Sequence, residues 1–173
     1  MSRAAPAAST VSQIILRILI ILNWIYGAFV LAILVGLLAA ERWTIVALGF
    51  ASPGDAGPLV RGLWVIPALG LVGVPLSLIV LRRLLAIVGT VRGGDPFVAK
   101  NAARLQTIAW AVLCQQLLQL AIGIAARSVS TPEHPLHISP FSPSGWLAVV
   151  LLFVLAGVFA EGSRMRDDLA GTI

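Results

Sequence analysis

Residues 18–40 read ILIILNWIYGAFVLAILVGLLAA, 23 residues without one Asp, Glu, Lys or Arg. A helix rises about 1.5 Å per residue, so about 20 apolar residues cross the roughly 30 Å hydrocarbon core of a bilayer. Two further stretches meet the same test: LWVIPALGLVGVPLSLIVL at 63–81 and LQTIAWAVLCQQLLQLAIGIAA at 105–126, with 19 and 22 residues. A fourth, WLAVVLLFVLAGVFA at 146–160, has 15. It reaches 20 when taken as 144–163, with Glu161 at its edge. The chain therefore reads as an all-α polytopic membrane protein. The expectation is a four-helix bundle in a single membrane domain, 1–173, with spans at about 14–40, 60–82, 104–126 and 144–163.

Composition agrees. Hydrophobic residues make up 59% of the chain and charged residues 11%, against about 25% charged in soluble domains. The apolar run of the first span also exceeds the roughly 7–15 residues of a secretory signal, so it reads as a retained helix.

Orientation follows from the basic residues between spans. Arg3, Arg17, Arg82, Arg83, Arg92, Lys100, Arg104, Arg164 and Arg166 fall on one side, nine in all, and Arg42, Arg61 and Arg127 on the other. Both termini are expected in the cytoplasm, with residues 41–62 and 127–145 outside. Trp43, Trp64 and Trp146 then all lie at the outer interface, as in an aromatic belt. Basic residues beside helix ends fix topology and attract anionic lipid. The net charge of +5 therefore does not imply direct nucleic-acid binding.

Local signals refine the picture. Thr10-Val-Ser-Gln13 is a capping box for the first helix. Pro67 and Pro75 each remove a backbone hydrogen bond from the second, giving either a hinge or a fixed kinked shape. Gly93-Gly94-Asp95-Pro96 is a turn followed by a helix start, with Asp95 as N-cap and Pro96 at the first helical position. Glu161 can pair with Arg164 at i, i+3, and Arg164 with Asp168 at i, i+4. Residues 43–50 and 136–138 favour strand, so a small extracellular β-hairpin is compatible with them; Pro135, Pro140 and Pro143 limit its extent.

The residues with most chemical content lie on the third span. At 100° per residue, Asn101, Arg104, Gln115, Gln116, Gln119 and Gly123 share one face. Glutamines facing lipid are costly, so Gln115, Gln116 and Gln119 should meet other helices. Interhelical packing and a polar pathway or ligand pocket are the two readings of that face. Asn23 and Ser77 lie at equal depth and form a plausible intramembrane pair. No acidic residue lies mid-membrane, against a proton or cation relay. Cys114 stands alone and reads as a small buried hydrophobe. Glu133, His134 and His137 have the donor types for zinc but sit among prolines with no helix to fix them, so no metal is expected. There is no nucleophile–base set and no phosphate-cradling loop. Neither an enzyme nor a cofactor is expected.

Two stretches carry a resemblance: LRRLLAIVGTVRGGDPFVAKNAARLQTIAWAVL at 81–113 and FSPSGWLAVVLLFVLAGVFAEGSRMRDDLAGTI at 141–173. Gly94-x-Pro96-Phe97, Asn101-x-x-Arg104-Leu105 and the tail from Glu161-Gly162 to Asp168-Leu169-x-Gly171-Thr172 resemble the bacterial domain-of-unknown-function 2975 family of small four-helix membrane proteins. The family tail usually has Glu where Ala170 stands, and often ends in Val where this chain has Ile173. The resemblance implies a bacterial inner-membrane protein and brings no catalytic residues. Family members are often encoded beside a short Cro/CI-type helix-turn-helix regulator, which implies a membrane partner that holds or controls a transcription factor. Asp95, Pro96, Phe97, Asn101, Arg104, Glu161, Arg164 and Asp168 then make up the expected clamp or partner patch at the inner face, with Glu161 paired to Arg104 or Arg164. A small oligomeric transporter or channel using the polar face of the third helix is the alternative; homo-oligomers fit either reading.

Overall fold

The computed structural model describes residues 4–47, 57–93, 98–130, 139 and 141–170. They form four helices: α1 (Ala4–Ala47), α2 (Gly57–Arg92), α3 (Ala99–Val129) and α4 (Pro143–Ala170). Each contains a segment long and apolar enough to cross a membrane. At about 1.5 Å per residue, the 36, 31 and 28 residues of α2, α3 and α4 extend roughly 54, 46 and 42 Å. All three overrun the apolar core, so their ends project from it.

The helices pack in chain order: α1 on α2, α2 on α3, α3 on α4. Among the described residues no Cα of α1 comes within 8 Å of α3 or α4, nor of α2 with α4. The four-helix assembly is therefore open along its outer helices. Its buried hydrophobic cluster is Leu105, Ile108 and Ala156, against which Val80, Leu84, Ile87, Leu152 and Phe159 pack. Trp110 and Phe153 meet edge to face at 5.3 Å across α3 and α4. Ile21, Trp24, Ile25 and Phe29 on α1, and Val150, Leu151, Val154 and Val158 on α4, stand exposed. In water such a surface would drive association; in a bilayer it is the lipid-facing surface.

α1 and α2 cross where α1 has no side chain. A Cβ at Gly27 would lie 3.0 Å from Val74 Cγ1. α2 remains helical through Pro67 and Pro75. α4 opens with Pro143 at its first position, and the Gly145 amide donates to Ser142 Oγ at 3.3 Å, the geometry of a serine N-cap.

Three local expectations are corrected. Residues 43–47 are helical, not strand: the chain bends at Ala40 (φ −152°, ψ 64°) and forms a further short helix. Burial of Thr44, which lies against Gly36, and of Ile45 overrides their strand preference. Residues 48–50 and 136–138, the rest of the expected hairpin, lie outside the described residues. At the start of α3, Val98 rather than Asp95 is the N-cap, with no side-chain cap bond. The Asn101 amide donates to Val98 O at 2.7 Å; the register that buries Asn101 prevails over local capping. Asp95, Pro96 and Phe97 lie outside the described residues. Cys114, expected buried, is exposed on α3.

Candidate functional site

Two polar sites join the helices, one at the arginine-rich end and one within the apolar zone. The first is built around Asn101, whose side chain is completely buried. Asn101 Nδ2 donates to Thr90 Oγ1 at 2.8 Å. The Thr90 hydroxyl donates to Ile87 O at 2.7 Å, leaving its lone pairs for Asn101. Arg104 Nη1 donates to Asn101 Oδ1 at 2.9 Å and to Ala86 O at 3.2 Å. The side chains of Thr90, Asn101 and Arg104 thereby tie the end of α2 to the start of α3. The guanidinium gives the network a charge-assisted bond, stronger than a neutral one.

Glu161 does not join this clamp. It pairs with Arg164 at 3.5 Å, one turn along α4, and both side chains are well exposed. The two arginines were equally reachable from sequence. Arg104 is instead turned toward α2, because Asn101 Oδ1 and Ala86 O offer it two acceptors in a less exposed place. Asp168 is exposed on the same helix end. Ser163 is buried and donates to Ala160 O at 2.8 Å. Arg82, Arg83 and Lys100 remain exposed around the clamp.

The second site lies between α1, α2 and α3. Gln115 Nε2 donates to Ser77 Oγ at 2.7 Å. Asn23 Nδ2 donates to Val74 O at 3.2 Å. Asn23 and Ser77 do not bond to each other, but both border one cleft of about 420 Å³ with Tyr26 and Gln115. Leu19, Leu22, Val80 and Leu81 complete its walls.

The glutamine face divides. Gln115 meets α2. Gln116 turns to α4, where a Cβ on Gly145 would overlap its carboxamide. Gln119 is exposed, contrary to the expectation that all three meet other helices. It stands on the same side of α3 as buried Asn101, five turns away. Nearby on α2, Gly73 faces Leu118, while Gly70 faces Tyr26 of α1. Thr90, essential to the clamp, carries no sequence signal beyond a small polar residue near a helix end; its 11-residue separation from Asn101 spans the turn.

Among the described residues no cluster of His, Cys, Asp or Glu could hold a metal. Glu133, His134 and His137 lie outside them.

Four apolar spans joined by short polar contacts define a multi-pass membrane protein. Residues 51–173 match the family described as "Protein of unknown function (DUF2975)", and the chain belongs to that family. No curated protein and no solved structure matches it.

Proposed function

We propose that this is a non-enzymatic regulatory or interaction protein of the bacterial inner membrane, with both termini cytoplasmic. It engages a cytoplasmic partner, a helix-turn-helix transcription regulator, through the arginine-rich ends of α2, α3 and α4. One observation carries the reading. The buried Asn101 clamp fixes two helix ends against each other at the end where Arg82, Arg83 and Lys100 stay exposed. A rigid, positively charged platform suits recognition of an acidic protein surface.

Orientation is tested by reporter fusions. Fusions after Arg92 and at the C-terminus should read cytoplasmic, and one within residues 51–57 periplasmic; the opposite pattern overturns the proposal. The partner is tested by capture from native membranes in mild detergent. The wild-type chain should retain a helix-turn-helix protein. The triple variant Arg82→Glu, Arg83→Glu, Lys100→Glu should lose it at unchanged thermal stability. A wild-type chain that retains none sinks the regulatory reading.

Exposed Gln119 favours a second reading, an oligomeric transporter or channel. A carboxamide facing hydrocarbon lacks hydrogen-bond partners, and another copy would supply them. Disulfide trapping of Gln119→Cys in a Cys114→Ser background should give a defined oligomer if this reading holds, and only monomer if it does not.

A further inference from the structure

The cleft between α1, α2 and α3 is more than a seam between packed helices. Four polar side chains from three helices border it: Asn23 and Tyr26 of α1, Ser77 of α2 and Gln115 of α3. Asn23, Ser77 and Gln115 each keep unused hydrogen-bonding capacity. Asn23 donates through one N–H to Val74 O, which leaves its carbonyl oxygen and a second N–H. Gln115 donates through one N–H to Ser77, which leaves its carbonyl oxygen. Ser77 accepts that bond and retains its own hydroxyl proton. Such groups facing lipid tails would go unsatisfied, and that is unfavourable in hydrocarbon.

We propose that this cleft binds an uncharged amphiphile whose head carries hydroxyl or carbonyl groups. The inference goes beyond the partner reading and does not depend on it. Three observations select this chemistry. The walls carry no ionised side chain, so a charged head would be desolvated there without a counter-ion. The polar floor is deep: Asn23 is six residues past Arg17 and Ser77 five before Arg82, roughly 8 Å along each helix at 1.5 Å per residue. A phosphate head held at the level of those arginines would not reach it. Leucine and valine walls, and α1 and α3 backbones that stay more than 8 Å apart, leave the cleft open sideways for a hydrocarbon tail. Its volume of about 420 Å³ lies within the range of small-ligand sites, roughly 300–1,000 Å³. A ring or glycerol-sized head fits, with the tail outside.

The test uses the purified full chain in dodecyl maltoside and follows thermal unfolding by circular dichroism. The probes are decylubiquinone, dioctanoylglycerol and dioctanoyl phosphatidate. A ligand that binds only the folded state raises Tm in a saturable way, here by about 3–5 °C for the neutral probes. A rise with the quinone alone, with the diacylglycerol alone or with both supports the proposal and tells which head is preferred. Leu22→Trp fills the cleft without touching its hydrogen bonds and should weaken binding at least about tenfold, as should Gln115→Leu. The proposal is overturned if neither neutral probe gives a saturable rise, if phosphatidate matches dioctanoylglycerol, or if Leu22→Trp binds as the wild type does. No partner is present in this assay, so its failure is distinct from failure of the partner reading.

Discussion

Asn101 on α3 donates to Thr90 on α2 at 2.8 Å, and neither residue could make this bond unless the two helices were already side by side. The bond therefore reports tertiary structure rather than local propensity. Asn101 also accepts from Arg104 at 2.9 Å, so its loss would take one bond from each of two part-buried partners. Asn101→Leu should destabilise the protein by about 2 kcal/mol, the usual cost of leaving buried polar groups unpaired. Unfolding in mixed detergent measures it. Thr90→Val should cost less alone. The double variant should fall short of the sum by at least about 0.5 kcal/mol, as residues in one network do. Strict additivity would mean the clamp does not act as a unit.

The glutamines should separate by partner, not by type. Gln115→Leu removes the bond to Ser77 and should cost about 0.6–1.7 kcal/mol, the range for hydrogen bonds between membrane helices. Ser77→Ala should cost a similar amount, with coupling between the two. Gln119→Leu should leave the monomer's stability unchanged or raised, because an exposed carboxamide gives way to a lipid-compatible side chain. A clear loss at Gln119 would point to a contact made by another copy.

The number of spans and the helical class of the described residues followed from apolar run length, because hydrocarbon allows a chain few other ways to satisfy its backbone. What sequence could not supply was which neighbour each polar side chain meets. Asn101, Gln115 and Gln119 share a face of α3, and helical periodicity showed that. Their fates differ because α2 places Thr90 opposite Asn101 and Ser77 opposite Gln115, while Gln119 is left exposed. Arg104 was reachable from α4, yet its acceptors lie on α2 and α3. The bend at Ala40 was equally hidden, since neither Gly nor Pro marks it.

The charged residues at the arginine-rich end should also differ in weight. Glu161 and Arg164 pair on an exposed helix surface, where such pairs contribute little. Glu161→Ala should shift stability by less than about 0.5 kcal/mol. Arg104→Ala breaks two bonds to less exposed acceptors and should cost about 1–2 kcal/mol. Because the two residues have separate partners, the double variant should be additive within about 0.3–0.5 kcal/mol. Strong coupling would mean that Glu161 and Arg104 meet after all.

The end of α1 offers a test of sign. Gly36 and Thr44 are eight residues apart, about 12 Å along a straight helix. Yet a Cβ at Gly36 would lie 2.9 Å from Thr44 Oγ1 and 3.4 Å from its Cγ2. The bend at Ala40 has folded the last turns back on the helix. Thr44 Oγ1 donates to Ala40 O at 3.0 Å, so the β-branched side chain is short, stiff and held where the new methyl would go. In an ordinary helix interior, Gly→Ala stabilises by about 1 kcal/mol. Here overpacking of roughly 1–3 kcal/mol opposes that gain, so Gly36→Ala should be neutral to destabilising. In a Thr44→Ala background the obstruction is gone. The same substitution should then recover most of the helix-propensity gain and stabilise relative to Thr44→Ala alone. Thermal unfolding of the four variants measures both signs. If Gly36→Ala stabilises equally in both backgrounds, α1 does not fold back at Ala40.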